Sequence, residues 1–237
     1  MIELRNINKS FGKLKVLNGV STNLEAGECI ALIGPNGCGK TTLIKSILGM
    51  VIPQQGDIRF QGKSIHNAIA YRSKIGYMPQ IGVYPENMNI NQVFETIRSL
   101  RPESPNIDID LYHSYELDSM LQKKMHTLSG GTIQKVSAAL AFLFHPDVLI
   151  LDEPTAGLDP VAANVLKEKI IKEREKGKLI LITSHLLDEL DELITRVIYM
   201  QDGRIAFHKS VAEMRLESGE QRISKTLLKV LKQSGYE

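Results

Sequence analysis

The sequence predicts an α/β fold whose mostly parallel sheet is covered by helices on both faces. Glu28 to Ile33, Val148 to Leu151 and Leu179 to Thr183 are short, nearly unbroken apolar runs, as strands buried on both faces are. Segments of helical spacing alternate with them, the grammar of a parallel sheet. Each run also ends in polar chemistry, where the ligands of such sheets sit.

Glu28 to Ile33 leads into a glycine-rich turn, and Thr41 to Leu48 has helical spacing up to Gly49. Between Pro85 and Leu128, Ile90, Val93, Phe94 and Ile97 make a helical stripe, Pro102 and Pro105 break it, and Asp-rich sequence follows. Residues 85–128 therefore read as an inserted α-helical lobe. From Ser129, Val136, Ala139, Leu140 and Leu143 continue at helical spacing until Pro146, ahead of the next strand. Val197 to Met200 and Arg204 to Phe207 flank Asp202-Gly203, a hairpin turn. Ser210 with Glu213 makes a capping box, and Ile223, Leu227, Val230 and Leu231 stripe a last helix, packed on its own domain or offered to another subunit. The core is expected at 1–84 and 129–209, the lobe at 85–128 and the C-terminal helices at 210–237.

The composition fits a soluble globular chain. Of 237 residues, 43% are hydrophobic and 24% charged, which argues against disorder. A formal charge of +2 gives no basic footprint, so no nucleic-acid partner is expected. Two cysteines at neither disulfide nor zinc spacing, and an opening segment MIELRNINKSFG without an apolar leader, suit a reducing cytoplasm. The longest apolar run, Ala138 to Phe144, is far short of the roughly 18 residues of a membrane span.

The turn after the first run reads Gly34-Pro35-Asn36-Gly37-Cys38-Gly39-Lys40-Thr41, a full G-x-x-x-x-G-K-[ST] pattern between a strand and a helix. Its glycines let successive N–H groups face phosphate oxygens, and the helix start adds positive charge. Lys40 is expected to reach the β- and γ-phosphates of ATP, Thr41 to bind Mg²⁺ through its hydroxyl, and Thr42 to join the loop in binding the nucleotide. Cys38 is either a thiol activated by the helix start or a small side chain at a position that contributes only backbone.

The second run places Asp152 and Glu153 side by side. In a strand successive side chains point opposite ways, so the two cannot share one job. Asp152 then suits Mg²⁺, and Glu153 the attacking water. His185 ends the third run on the same sheet edge and reads as a sensor of the γ-phosphate; by itself a histidine there is a structural residue.

Thr127 to Gly131 (TLSGG), followed by Leu149 to Pro160 (LILDEPTAGLDP), resembles the nucleotide-binding domains of the ABC ATPase family. The resemblance covers about Ile2 to Lys209. It implies a P-loop NTPase core with an N-terminal antiparallel β subdomain, ATP hydrolysis, and head-to-tail pairing with a second nucleotide-binding domain, expected to be a second copy. Ser129, Gly130 and Gly131 of one copy would cover the nucleotide of the other. Asp159 would lie at the dimer seam, although Asp-Pro is also a good helix start. Gln80 matches a glutamine that contacts Mg²⁺ and links lobe to core. Phe11 matches the aromatic position that stacks on adenine, with the N-terminal sheet core as its other reading. The family's signature segment, here Leu128 to Thr132, usually ends in Gln, where this chain has Thr132.

The resemblance further implies a transmembrane permease subunit docked on the lobe, and a place on the inner face of the cell membrane. LSGGTIQKVSAALAFLFHPD with LDEPTAGLDPVAA is similar to the ATPase subunit of exporters serving maturation of copper-containing nitrous oxide reductase. A soluble ABC-type regulator of ribosomes or DNA is the alternative. Such proteins usually carry two nucleotide domains or long basic or coiled insertions, which this sequence lacks.

Overall fold

Cys29–Ile33 is buried at all five residues and has a parallel strand on each side, as an apolar run without alternation requires. The structure, a computed structural model, describes residues 1–104 and 106–233. Pro105, expected to break the lobe's stripe, and 234–237, expected in the C-terminal helices, lie outside the described residues.

In chain order the elements are β1 (Ile2–Phe11), β2 (Leu14–Leu24), β3 (Cys29–Ile33), α1 (Lys40–Ile47), β4 (Gln55–Phe60), β5 (Lys63–Ser64) and β6 (Ile75–Met78). Then come α2 (Ile90–Ser99), α3 (Asp110–Ser114), α4 (Gly130–Phe142), β7 (Val148–Asp152), α5 (Pro160–Glu175) and β8 (Leu179–Thr183). The chain continues through β9 (Arg196–Gln201), β10 (Arg204–Ser210), α6 (Val211–Ser218) and α7 (Ile223–Gln233). It divides into two compact units, Met1–Arg72 with Leu179–Glu237, and Ser73–Lys178.

In the first unit an antiparallel sheet has the order β2-β1-β4-β5. Ile2, Leu4 and Ile7 of β1 and Leu17, Val20 and Leu24 of β2 fill its buried face. The unit's other strands lie in the order β10-β9-β3-β8, with β3 parallel to both β8 and β9. The Asp202-Gly203 turn has φ of 49° and 73°, the paired left-handed residues of a tight hairpin. The expected capping box closes at the start of α6, where Ser210 and Glu213 exchange side-chain-to-backbone bonds. The last stripe packs on its own unit: Ile223, Leu227 and Val230 of α7 are buried, against α6 and a 3₁₀ turn at Leu187–Leu190.

The second unit holds the parallel pair β6–β7, in register from Ile75↔Val148 to Met78↔Leu151. Residues 85–128 contain α2, α3 and 3₁₀ turns at Leu117–Met120 and Met125–Thr127. Asn89 and Gln92 form a capping box on α2. A buried ion cluster ties the start of α3 to α5: Lys169 Nζ lies 2.5 Å from Asp108, 2.7 Å from Asp110 and 3.4 Å from Glu173. Glu173 also receives Lys176 and Lys178. Burial alone raises a carboxyl's pKa, but the surrounding ammonium groups outweigh it and hold Glu173 down at about 2. Among the described residues no helix is long and apolar enough to cross a membrane.

Candidate functional site

The glycine-rich turn between β3 and α1 is shaped by its neighbours. Gly34 has φ 153°, and a Cβ there would lie 2.1 Å from the main-chain oxygen of Met200 in β9. At Gly39, φ 109°, it would lie 2.7 Å from the oxygen of Val16 in β2. Both positions therefore need glycine for space as well as conformation. Gly37 has φ 80° and open space around it, so only conformation asks for glycine there. The β9–β10 turn braces the loop, because the N–H of Gly203 donates to the oxygen of Cys38 at 3.1 Å.

Lys40 Nζ donates to the main-chain oxygens of Gly34 (2.7 Å) and Pro35 (3.1 Å), so its ammonium lies over the loop. Helix α1 has no acid in its own first turn, which suits its positive end to an anion. Pro35, Asn36, Gly37 and Thr41 are exposed, and Thr42 half-buried. Cys38 is buried with its sulfur against Gly34, which favours the backbone-only reading over an exposed reactive thiol. Phe11 is 51% exposed at the end of β1, with Lys9 Nζ 5.3 Å from its ring centre, so it is not a residue of the sheet core. His185 is exposed, two residues beyond β8.

In the second unit, β7 stops at Asp152, and Glu153 takes φ 51°, a left-handed conformation uncommon outside glycine. Alternation along a strand therefore does not separate the two carboxylates; a turn does. Glu153 is 9% exposed. Its main-chain oxygen accepts from Ala156 N at 3.1 Å and Gln134 Nε2 at 3.4 Å. Gln80 is exposed two residues past Met78, which pairs with Leu151, so it leaves the same edge of this parallel pair as Asp152. Burial, then the Asp152 charge, raises the pKa of Tyr77 on β6.

Ser129 caps α4, accepting from Thr132 N at 3.2 Å. The Ser129 and Thr132 hydroxyls are 2.9 Å apart, so Thr132 contacts the serine directly. A Cβ at Gly131 would lie 2.7 Å from the oxygen of Gly157, whereas Gly130 has open space. Asp159 caps α5 through Ala162 N at 2.8 Å and pairs with Lys135 at 2.9 Å, which establishes its capping role. The Ala162 N–H and then Lys135 hold its carboxyl below the usual range.

Gln134 and Lys135 do not figure among the sequence-derived site residues. Gln134 is buried at the spacing of Ala138 and Ala141, and a polar residue on that apolar face was the available signal. Together they tie α4, whose first turn is Gly130-Gly131, to Glu153 and Asp159.

The profile of a family described as "ABC transporter" matches residues 17–156. "Nod factor export ATP-binding protein I" of Burkholderia lata is 35% identical over 208 residues, covering 86% of this chain and 68% of that protein. A solved structure of an ATP-binding subunit of an ABC transporter superposes with TM-score 0.86 at 26% identity, covering 97% of this chain and 99% of the other. An ATP-binding cassette of an ABC transporter in its ADP conformation gives TM-score 0.75 at 26% identity, covering 96% and 98%.

Proposed function

Because the chain belongs to the ABC transporter family, as an ATP-binding subunit and ABC-type ATPase, we propose that it powers export through a separate membrane-spanning subunit, with Glu153 as general base. The observation that carries this reading is Glu153 itself: buried, just past a strand end, and held in a left-handed turn from two sides. Backbone in a sparsely populated conformation persists only where its surroundings impose it, and such positions cluster at functional sites. A carboxylate fixed there suits taking a proton from water as it attacks the γ-phosphorus.

The other roles follow residue by residue. The N–H groups of the Gly34–Gly39 turn and of Thr41 and Thr42 bind phosphate oxygens, and Lys40 transfers its ammonium from loop carbonyls to the β- and γ-phosphates. Phe11 stacks on adenine. Thr41, Gln80 and Asp152 hold Mg²⁺; hydroxyl, amide and carboxylate oxygens are the donors this cation prefers. When bound, Mg²⁺ supplies positive charge to the phosphates. His185 bonds the γ-phosphate. The open face at Ser129 and Gly130, on a helix without first-turn acid, covers the nucleotide of a second copy in a head-to-tail dimer, with Asp159 at the seam.

A second unit groove of about 300 Å³, lined by Ile97, Leu100, Arg101, Leu140 and Phe144 among others, is the place on the lobe side for a membrane-subunit helix. Docking there would hold the chain on the inner face of the membrane, the location that membership of the family implies. Export is supported by the function in the names of the relatives. Nitrous oxide reductase maturation is the narrower form of the same reading, carried by the wording of the signature and LDEPTAGLDP segments alone. In that form this subunit powers delivery and does not handle the metal.

The test is to purify the tagged chain from detergent-solubilised membranes and measure its ATPase rate with and without what co-purifies. A spanning protein in stoichiometric amount that alters turnover is expected. Recovery only with ribosomes or DNA would contradict the reading.

A further inference from the structure

The segment that carries His185 is anchored from one side by the C-terminal helices. After β8 the chain passes His185 and Leu186, both exposed, and enters the Leu187–Leu190 turn. Leu190 and Leu193 are fully buried, and the N–H groups of Leu193 and Ile194 both donate to the oxygen of Leu190. Between them stands Asp191. Its Oδ1 accepts from the main-chain N–H of Ile223, the first residue of α7, at 2.9 Å, and from the Arg215 guanidinium of α6 at 3.1 Å.

Helix α7 does not cap itself. The residue before Ile223 is Arg222, which has no acceptor in its side chain. The cap comes instead from a carboxylate 32 residues upstream, where negative charge also meets the helix's positive end. The apolar stripe of α7 then seals the arrangement, with Ile223, Leu227 and Thr226 buried. One carboxylate thus joins both C-terminal helices to the His185 segment.

We propose that Asp191 is a positioning residue for His185, and that α6 and α7, through Arg215 and the α7 N-terminus, set where the His185 segment lies. The proposal rests on the reading that His185 bonds the γ-phosphate. If so, disturbing the clamp weakens recognition of the γ-phosphate and leaves the rest of the nucleotide's binding alone.

The experiment measures ATP and ADP dissociation constants and kcat for the full chain, for His185→Ala and Asp191→Ala, and for the pair combined. Asp191→Ala is expected to narrow the ATP-over-ADP preference and lower kcat by roughly tenfold, the scale of a misplaced group. In the His185→Ala background it should do neither, since the two act as one unit. Asp191→Asn, which keeps an acceptor oxygen, should restore the preference to within about twofold. Arg215→Met leaves the Ile223 bond in place and serves if Asp191→Ala does not fold; its smaller loss should likewise vanish without His185. Equal losses in both backgrounds, or an unchanged preference in Asp191→Ala while His185→Ala is impaired, would overturn the positioning role and spare His185. Wild-type behaviour of His185→Ala would overturn the reading beneath it.

Discussion

Gln134 Nε2 reaches across a buried gap of 3.4 Å to the main-chain oxygen of Glu153. Gln134 stands three positions after Gly131, so the helix that begins at Gly130 and Gly131 also contacts the turn of the candidate base. Gln134→Leu is expected to lower kcat roughly tenfold while ATP affinity stays the same. Ala156 N still satisfies the Glu153 oxygen, so the stability loss should be only about 1 kcal/mol. Steady-state kinetics with urea unfolding of the same variant separate the two effects.

The turn before α1 makes a contrasting pair. Gly34→Ala would press a methyl against the oxygen of Met200 and should abolish nucleotide binding. Gly37→Ala meets open space and pays only the left-handed conformation, roughly 1 kcal/mol, so binding should weaken little. Titration with a fluorescent ATP analogue distinguishes them.

The cluster around Glu173 gives a pH dependence. Its folded-state pKa of about 2 lies below the ordinary 4.5, so its stabilising share is complete above the ordinary value and is lost as pH falls towards 2. Acid unfolding should steepen in that window. Glu173→Gln should be less stable at neutral pH, because Lys169, Lys176 and Lys178 lose their shared carboxylate, and should show a flatter acid limb by circular dichroism.

Much of this was legible in the sequence because it depends on local rules. The β3 and β8 runs, the Asp-Gly hairpin and the Ser210–Glu213 box need only neighbours in the chain. The separate jobs proposed for Asp152 and Glu153 rest in the sequence on strand alternation, whereas the strand ends at Asp152 and Glu153 sits in a left-handed turn whose main-chain oxygen accepts from Gln134. That contact joins residues 19 positions apart, which no local pattern reveals. The Asp191 cap on α7 spans a longer interval still, and no local pattern announces it. Phe11 had two sequence readings, and its exposure decided against the core.

Both cysteines, Cys29 and Cys38, are buried. Native protein should therefore resist alkylation by iodoacetamide over the time in which the urea-unfolded chain takes two labels, as read by mass spectrometry. Cys38→Ala should keep its ATPase rate, since the residue serves the loop through its backbone, which accepts from Gly203 N.

Single-turnover and steady-state hydrolysis by Glu153→Gln test the central assignment most directly. The substitution keeps shape and hydrogen-bonding capacity but removes the base. ATP should bind within a few-fold of the unchanged chain's affinity while turnover falls by about a hundredfold or more. Turnover near that of the unchanged chain would contradict the account.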